Sequence, residues 1–257
     1  MNEVARNVML NLEESAQDSE GYLYGDGLCK ISHYFASGVY AREMWMPAGY
    51  FITGKIHLTE HICVLSQGSV TVYDGGKTVD YQAPAIIISK VGAKRAIYAH
   101  EESVWTNFHA TELTDPELIE EAIIAESFEH LDGLLARNDY ERFLLEFDLT
   151  EEDVQKVTHS SAVVVVHGAK FVVRKSEIEG VGLFPIKRIE IGETIAPALL
   201  DGEKTEAGRF TNHSGKPNAE MVIAGNNINL VAIMDIDDKE ITTDYRNTLM
   251  IQGRIAR

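Results

Sequence analysis

The feature that most restricts this chain is a succession of short apolar segments between Gly38 and Thr111, each too brief for a helix and each followed by a turn signal. Val39-Tyr40, Ile62 to Leu65, Ser69 to Tyr73, Ala85 to Ile88 and Val104 to Phe108 alternate or cluster apolar residues, and Asp74-Gly-Gly76 punctuates them. Many short strands at such intervals read as an antiparallel sandwich or barrel. The 257 residues suffice for two modest domains, and 45% hydrophobic content is ordinary for a globular protein that buries cores.

Charge and cysteine usage narrow the function. A formal net charge of -17 argues against a nucleic-acid partner, because such binding draws on clustered Lys and Arg that neutralise phosphates. An acidic surface would attract basic, lysine-rich peptides or simply keep the protein soluble. Cys29 and Cys63 make no disulfide framework. No apolar run reaches the length of a membrane span, and the polar start Met1 to Arg6 is not a signal peptide, so a cytoplasmic setting is expected.

Within the strand-rich stretch the spacing is more specific. Gly49, Lys55, His57, His61 and Gly68 fall at intervals that resemble the first motif of the cupins, G-x5-H-x-H-x3-E-x6-G. Lys55 takes the place of the first histidine and His61 that of the glutamate. The resemblance covers residues 38 to 111 and implies a jelly-roll barrel. Metal-holding members of that family use histidines and a carboxylate, since imidazole and carboxylate suit iron, manganese or zinc. Here Arg95 stands where the remaining histidine of the second motif falls, and Ala99 where an asparagine is usual. The motifs therefore leave two ligands, with His109 as the available third, and Lys55 would add positive charge beside a cation. The expectation is a barrel without metal that serves dimerisation or small-ligand binding. His57, His61 and Arg95 facing inward could bind an anion, or be interior residues satisfied by hydrogen bonds.

Between residues 113 and 160 the pattern becomes helical. Thr114-Asp115 before Pro116 is a helix start, with Leu118, Ile119, Ala122, Ile123 and Ala125 at helical spacing. A second helix is predicted from Asn138 to Phe147, with Tyr140, Phe143, Leu144 and Phe147 on one side, and a third begins at Thr150-Glu-Glu-Asp153 as a capping box. These stripes read as packing. Asn2 to Ala16 forms another amphipathic helix, within a lead-in over residues 1 to 37, and reads as an arm for a partner subunit. Strands resume at Ala162 to Val166 and Phe171 to Val173.

Residues 161 to 257 carry three ordered motifs. Gly180-Val181-Gly182-Leu183 comes first, then Arg209 to Asn218 with Phe210, Asn212, His213, Ser214 and Pro217, then Glu240-Ile-Thr-Thr-Asp-Tyr245. Each alone could be a turn or a surface loop. As a set they resemble the SET-domain protein lysine methyltransferases, whose pattern runs G-x-G, then R-F-x-N-H-S-C-x-P-N, then G-E-E-[LI]-x-x-D-Y. The resemblance implies transfer of a methyl group from S-adenosyl-L-methionine to a lysine-containing protein. It makes Tyr245 the catalytic residue, and Gly180, Val181, Gly182, Leu183, Arg209, Phe210, Asn212 and His213 the donor-binding ones. Glycines allow backbone to approach a charged ligand closely, and a tyrosine hydroxyl can orient an attacking amine. Three departures matter. Gly215 replaces the family's cysteine, the insert between Ile195 and Arg209 is short, and no cysteine beyond Cys63 is present to hold flanking zinc.

The expected fold is thus mainly β with an α connector: a cupin-like jelly-roll barrel over residues 38 to 112, then a SET-like β fold. Self-association through the barrel is expected. The competing expectation is a non-catalytic structural or assembly protein, phage-encoded and acting in the host cytoplasm, that keeps both folds as scaffolds.

Overall fold

A computed structural model describes residues 2–20, 22, 27, 29–158 and 163–251. The chain divides into two compact units, residues 1–131 and 132–257. The first runs through α1 (Glu3–Gln17), β1 (Lys30–Ala36), β2 (Val39–Met46), β3 (Phe51–Thr53), β4 (Ile56–His57), β5 (His61–Gln67), β6 (Ser69–Asp74), β7 (Lys77–Gln82), β8 (Ala85–Ser89), β9 (Ala96–Ala99) and β10 (Ser103–Ala110). Then come α2 (Pro116–Ile123), β11 (Ile124–Ala125) and α3 (Phe128–Glu146), which begins in the first unit and continues in the second.

The apolar alternation becomes two antiparallel sheets, ordered β1-β2-β10-β5-β8 and β3-β9-β6-β7. Met46, Cys63, Leu65 and Trp105 of the first sheet join Val70, Val72, Ile97 and Ala99 of the second in one core. Inward positions two residues apart on each strand meet across the gap, which is the jelly-roll arrangement. α1 differs from the expected arm. Asn2 caps it by accepting from the Ala5 amide at 2.9 Å. Ala5 and Met9 are buried, and Glu13 accepts from the buried Lys94 at 3.0 Å. The helix therefore lies on its own barrel.

The connector also differs. α2 starts at Pro116 as the sequence predicts, capped by the Asp115 carboxylate. α3 then starts at Phe128 rather than Asn138, with the Ser127 hydroxyl accepting from the His130 amide at 3.1 Å. Gly133 hid this helix from a propensity reading. It is required by space, since a Cβ there would lie 2.6 Å from the Glu177 carbonyl oxygen.

The second unit continues with α4 (Glu151–Thr158), β12 (Phe171–Lys175), β13 (Val181–Pro185), β14 (Thr194–Leu200), β15 (Glu203–Lys204), α5 (Glu206–Phe210), β16 (Asn212–His213), β17 (Ala219–Ala224), β18 (Asn227–Ala232), β19 (Thr242–Thr243) and α6 (Tyr245–Ile251). β12 and β13 form a hairpin, β15-β14-β18-β17 a sheet, and β16 runs parallel to β19. Leu183, Ile189, Leu230, Ile236 and Ile241 centre its core. The strand expected over Ala162 to Val166 is not one. Ala162 lies outside the described residues, and Val164 makes a single bridge to Thr205. Thr205 is the N-cap of α5, so no ladder can extend from it. No helix among the described residues is long and apolar enough to cross a membrane.

Candidate metal centre and a second candidate site

The jelly-roll register builds a histidine cluster. β4 carries His57, β5 opens on His61 and β10 carries His109. β10 pairs with β5 up to Phe108↔Ile62, so the next step along the ladder sets His109 beside His61. Their ring centroids are 4.3 Å apart, His57 lies 4.2 Å from His61, and the ligand nitrogens of all three fall within 4.8 Å of one another. His61 and His109 are buried, whereas the adjoining Thr59 is exposed, so the cluster lies close beneath the surface.

Thr59 orients two of the rings. Its carbonyl accepts from His61 Nδ1 at 3.1 Å, and its hydroxyl lies 3.5 Å from His109 Nδ1. His61 is thereby the Nδ1–H tautomer, with its Nε2 lone pair left over. That Nε2, His57 Nδ1 and the hydroxyl of Ser89, which pairs across from His61, are buried without a partner. Burying a polar atom unpaired costs about 1–3 kcal/mol, so three in one neighbourhood point to a missing ligand. Burial, followed by repulsion from the other two histidines, pushes His57 down to about 2. Burial and His61 push His109 down to about 4, and burial lowers His61 against its bond to Thr59. All three are neutral at ordinary pH, the form that ligates metal.

His109, the third histidine that the sequence offered, does join His57 and His61, and it is strand register rather than motif spacing that brings it there. One expectation about this region is corrected. Lys55 does not face the cluster. Its exposed side chain pairs with Glu120 on α2, and its charge is met there. Arg95 is buried as expected of an interior residue, donating from Nε to Asp74 at 2.8 Å and from Nη1 to Cys63 Sγ at 3.3 Å.

In the second unit the three motifs do come together. Asn212 Nδ2 lies 3.1 Å from the carbonyls of Glu179 and Val181 and from the Ser176 hydroxyl, and 2.7 Å from Glu240 Oε1. The Tyr245 hydroxyl donates to the Thr211 carbonyl at 3.0 Å. Its ring packs on Tyr140, Phe143 and His213. Burial, then the charges of neighbouring groups, holds the Tyr245 phenol well above its ordinary value. Burial likewise pushes Tyr140 up to about 12.

The donor-binding residues named from sequence are placed differently from one another. Gly180, with a positive φ of 45°, and Val181 are exposed at the hairpin turn. Leu183 is fully buried in the core, so its side chain reaches no ligand. Arg209 stacks near Phe210, with 6.0 Å from its guanidinium to the ring centroid. Gly182 leaves room for protein: a Cβ would lie 2.0 Å from Glu240 Oε1. Asn212 spends its amide on the hairpin turn and Glu240. His213 accepts the Tyr245 amide on Nδ1 at 3.1 Å, so its Nε2 carries the proton donated to Asp139 at 3.0 Å. Burial keeps His213 low, against the pull of Asp139 and Asp244.

Asp139 is the residue that sequence reasoning missed. It also accepts from Arg246 at 2.9 Å, and partial burial is outweighed by these two bonds, so its carboxyl titrates below its ordinary range. The signal was present in Gly215. A Cβ there would lie 2.3 Å from Asp139 Oδ2, so the carboxylate on α3 occupies the space where the motif resembled has a cysteine side chain.

No family model matches the chain, and no curated protein matches it at a significant level. Among solved structures it is similar to a Schizosaccharomyces pombe cupin domain, at TM-score 0.29 and 19% identity, over 37% of this chain and 66% of that one. It is also similar to salicylate 1,2-dioxygenase from Pseudoaminobacter salicylatoxidans, solved with gentisate (TM-score 0.32, 14% identity), over 46% of this chain but 32% of that one. A cupin superfamily protein from Desulfitobacterium hafniense is a third, with TM-score 0.30 and 9% identity over 37% of this chain and 85% of that one. The chain thus spans about a third of the dioxygenase's length, and the chemistry of the sites rests on its own residues.

Proposed function

We propose that the first unit is a metal-binding barrel in which His57, His61 and His109 hold one divalent first-row transition ion. The observation that carries this is the convergence of three neutral imidazoles whose ligand atoms lie within 4.8 Å, with buried nitrogens on two of them unpartnered. Imidazole suits zinc, iron, copper or nickel, and a three-histidine set leaves coordination positions for a small molecule. Such an ion, when bound, supplies Lewis acidity. The protein's part is to hold the rings neutral, with Thr59 fixing two of them. Elemental analysis of purified protein, followed by cobalt titration of the chelated protein, tests it. One ion per chain is expected; none at micromolar metal would sink the idea.

A second function, in the second unit, is favoured by a separate observation. The Gly180 turn, Asn212-His213 and Tyr245 converge, which supports methyl transfer from S-adenosyl-L-methionine to a lysine-containing protein in a cytoplasmic setting. Against it, the Asn212 and His213 side chains are engaged by protein groups, and Glu240 takes the space beside Gly182. The exposed Gly180-Val181 backbone is what this chain offers, together with the lone pairs of a Tyr245 hydroxyl whose proton is given to the Thr211 carbonyl. The scaffold alternative, an assembly component that self-associates through its barrel, is separated by calorimetric titration with the donor. Saturable binding in wild type, with transfer lost in Tyr245→Phe, supports methyl transfer, and no heat at millimolar donor supports the scaffold.

A further inference from the structure

β8 ends on a residue unlike the rest of it. Ile86 and Ile88 point outward, 75% and 60% exposed, while Ala85 and Ile87 pack on the barrel core. Alternation then turns Ser89 inward, where it is fully buried. Register lays Ala85, Ile87 and Ser89 opposite Leu65, Cys63 and His61 in turn. Side chains so paired share a face, with Cβ atoms about 5 Å apart. The chain beyond Ser89 closes the same corner. Gly92 donates its amide to the His57 carbonyl at 2.7 Å, and the His57 amide donates to the Ala93 carbonyl at 3.0 Å. One short stretch, Ser89 to Ala93, therefore borders both His61 and His57.

No protein group answers the Ser89 hydroxyl. Its oxygen has no hydrogen-bond partner, and neither has His61 Nε2, so the two do not reach one another. An ion on the three imidazoles would use the ring lone pairs and still leave the Ser89 O–H without an acceptor. A cation cannot accept a proton. What can is a ligand on the ion, and an anion there is the stronger acceptor, since a hydrogen bond to a charged group is roughly twice as strong as a neutral one. Imidazole brings no negative charge of its own, so an anion is also what the ion itself would favour.

Resting on the metal reading above, we propose that the open side of the His57, His61 and His109 centre binds a small anion, and that Ser89 selects it by donating a hydrogen bond to the atom nearest the ion. Ser89 is thereby a specificity residue: it governs what joins the ion, while the three imidazoles govern whether the ion is held. A hydroxyl buried in an otherwise apolar strand carries a desolvation cost, and the bound anion relieves it.

The test uses the full chain loaded with cobalt(II), whose visible absorption reports on its ligands. Azide is titrated into wild type, Ser89→Ala and Ser89→Thr, and its infrared stretching band is recorded when bound. All three proteins should hold one cobalt per chain with unchanged affinity. Ser89→Ala, which removes one atom, should weaken azide about tenfold, as the loss of a charge-assisted hydrogen bond implies. Its azide band should also shift from that of wild type, which a serine that merely packs would not cause. Ser89→Thr keeps the hydroxyl and should restore most of the affinity; if the added methyl prevents folding, the alanine variant decides. Equal azide affinity in wild type and Ser89→Ala, or no azide response in cobalt-loaded wild type, overturns the anion site while leaving the metal in place. Loss of cobalt from folded Ser89→Ala overturns it too, making the serine a ligand of the ion. Failure of wild type to take up cobalt overturns the metal reading and this one together.

Discussion

The two units each bury histidines, and they use them in opposite ways. In the barrel, His57 and His61 keep buried ring nitrogens with no partner. In the second unit, both nitrogens of His213 are committed, one to the Tyr245 amide and one to Asp139. Both sets are lowered by burial, so titration does not tell them apart. Satisfaction does: a buried polar atom without a partner implies something exogenous, whereas a fully bonded one is already doing structural work. Among the described residues the second unit keeps one such orphan, the Thr243 hydroxyl, which stands by itself, whereas His57, His61 and Ser89 of the first cluster together.

The comparison breaks most visibly at the histidines. His61→Ala should lower metal affinity by about a hundredfold or more, measured by competition with a chelating dye. His213→Ala should leave metal content unchanged and instead lower Tm. Next in size is Gly215→Ala, whose new methyl must displace the Asp139 carboxylate; thermal unfolding should register a loss of about 1–3 kcal/mol. Repeating it in an Asp139→Ala background should recover most of that cost, because the clash is gone. Additivity of the two changes would refute the close approach.

A smaller effect is expected from Thr59→Val. It keeps the carbonyl that orients His61 but removes the hydroxyl beside His109. Metal affinity should fall by about tenfold, and an unchanged affinity would mean that His109 is fixed by packing alone. Smallest is a change in slope. Burial raises the Glu240 carboxyl above its ordinary 4.5, against the bonds from Ser176 and Asn212. Its folded value therefore exceeds the unfolded one. The stability it contributes is whole below pH 4.5 and is lost as pH rises through the folded value. Glu240→Gln, fixed in the neutral form, should show a shallower fall of Tm toward neutrality than wild type; parallel curves would count against this assignment.

The barrel was legible because period-two alternation over β5, β6 and β10 is a local property of the chain. The site within it was only half legible. His57, His61 and Arg95 were visible as inward candidates. The ligand count was not, since whether His109 meets His61 depends on a ladder whose register shifts between Val104 and Trp105. Lys55 was misread because two residues along a strand share a face only if the strand is regular, and β4 begins one residue later, at Ile56. In the second unit, motif order brought Gly180, Asn212 and Tyr245 into one neighbourhood, yet no local pattern could reveal that a carboxylate on α3 would fill the space left by Gly215. Long-range substitution of one group for another leaves only the small residue as its trace.

Thr59 touches two imidazoles at once, one through its carbonyl and one through its hydroxyl. Whatever displaces the bend at this residue moves a pair of donors in concert, so their grip on an ion would be gained or released together rather than ring by ring. An exposed threonine is thereby a single handle on occupancy, reachable from solvent without opening the barrel.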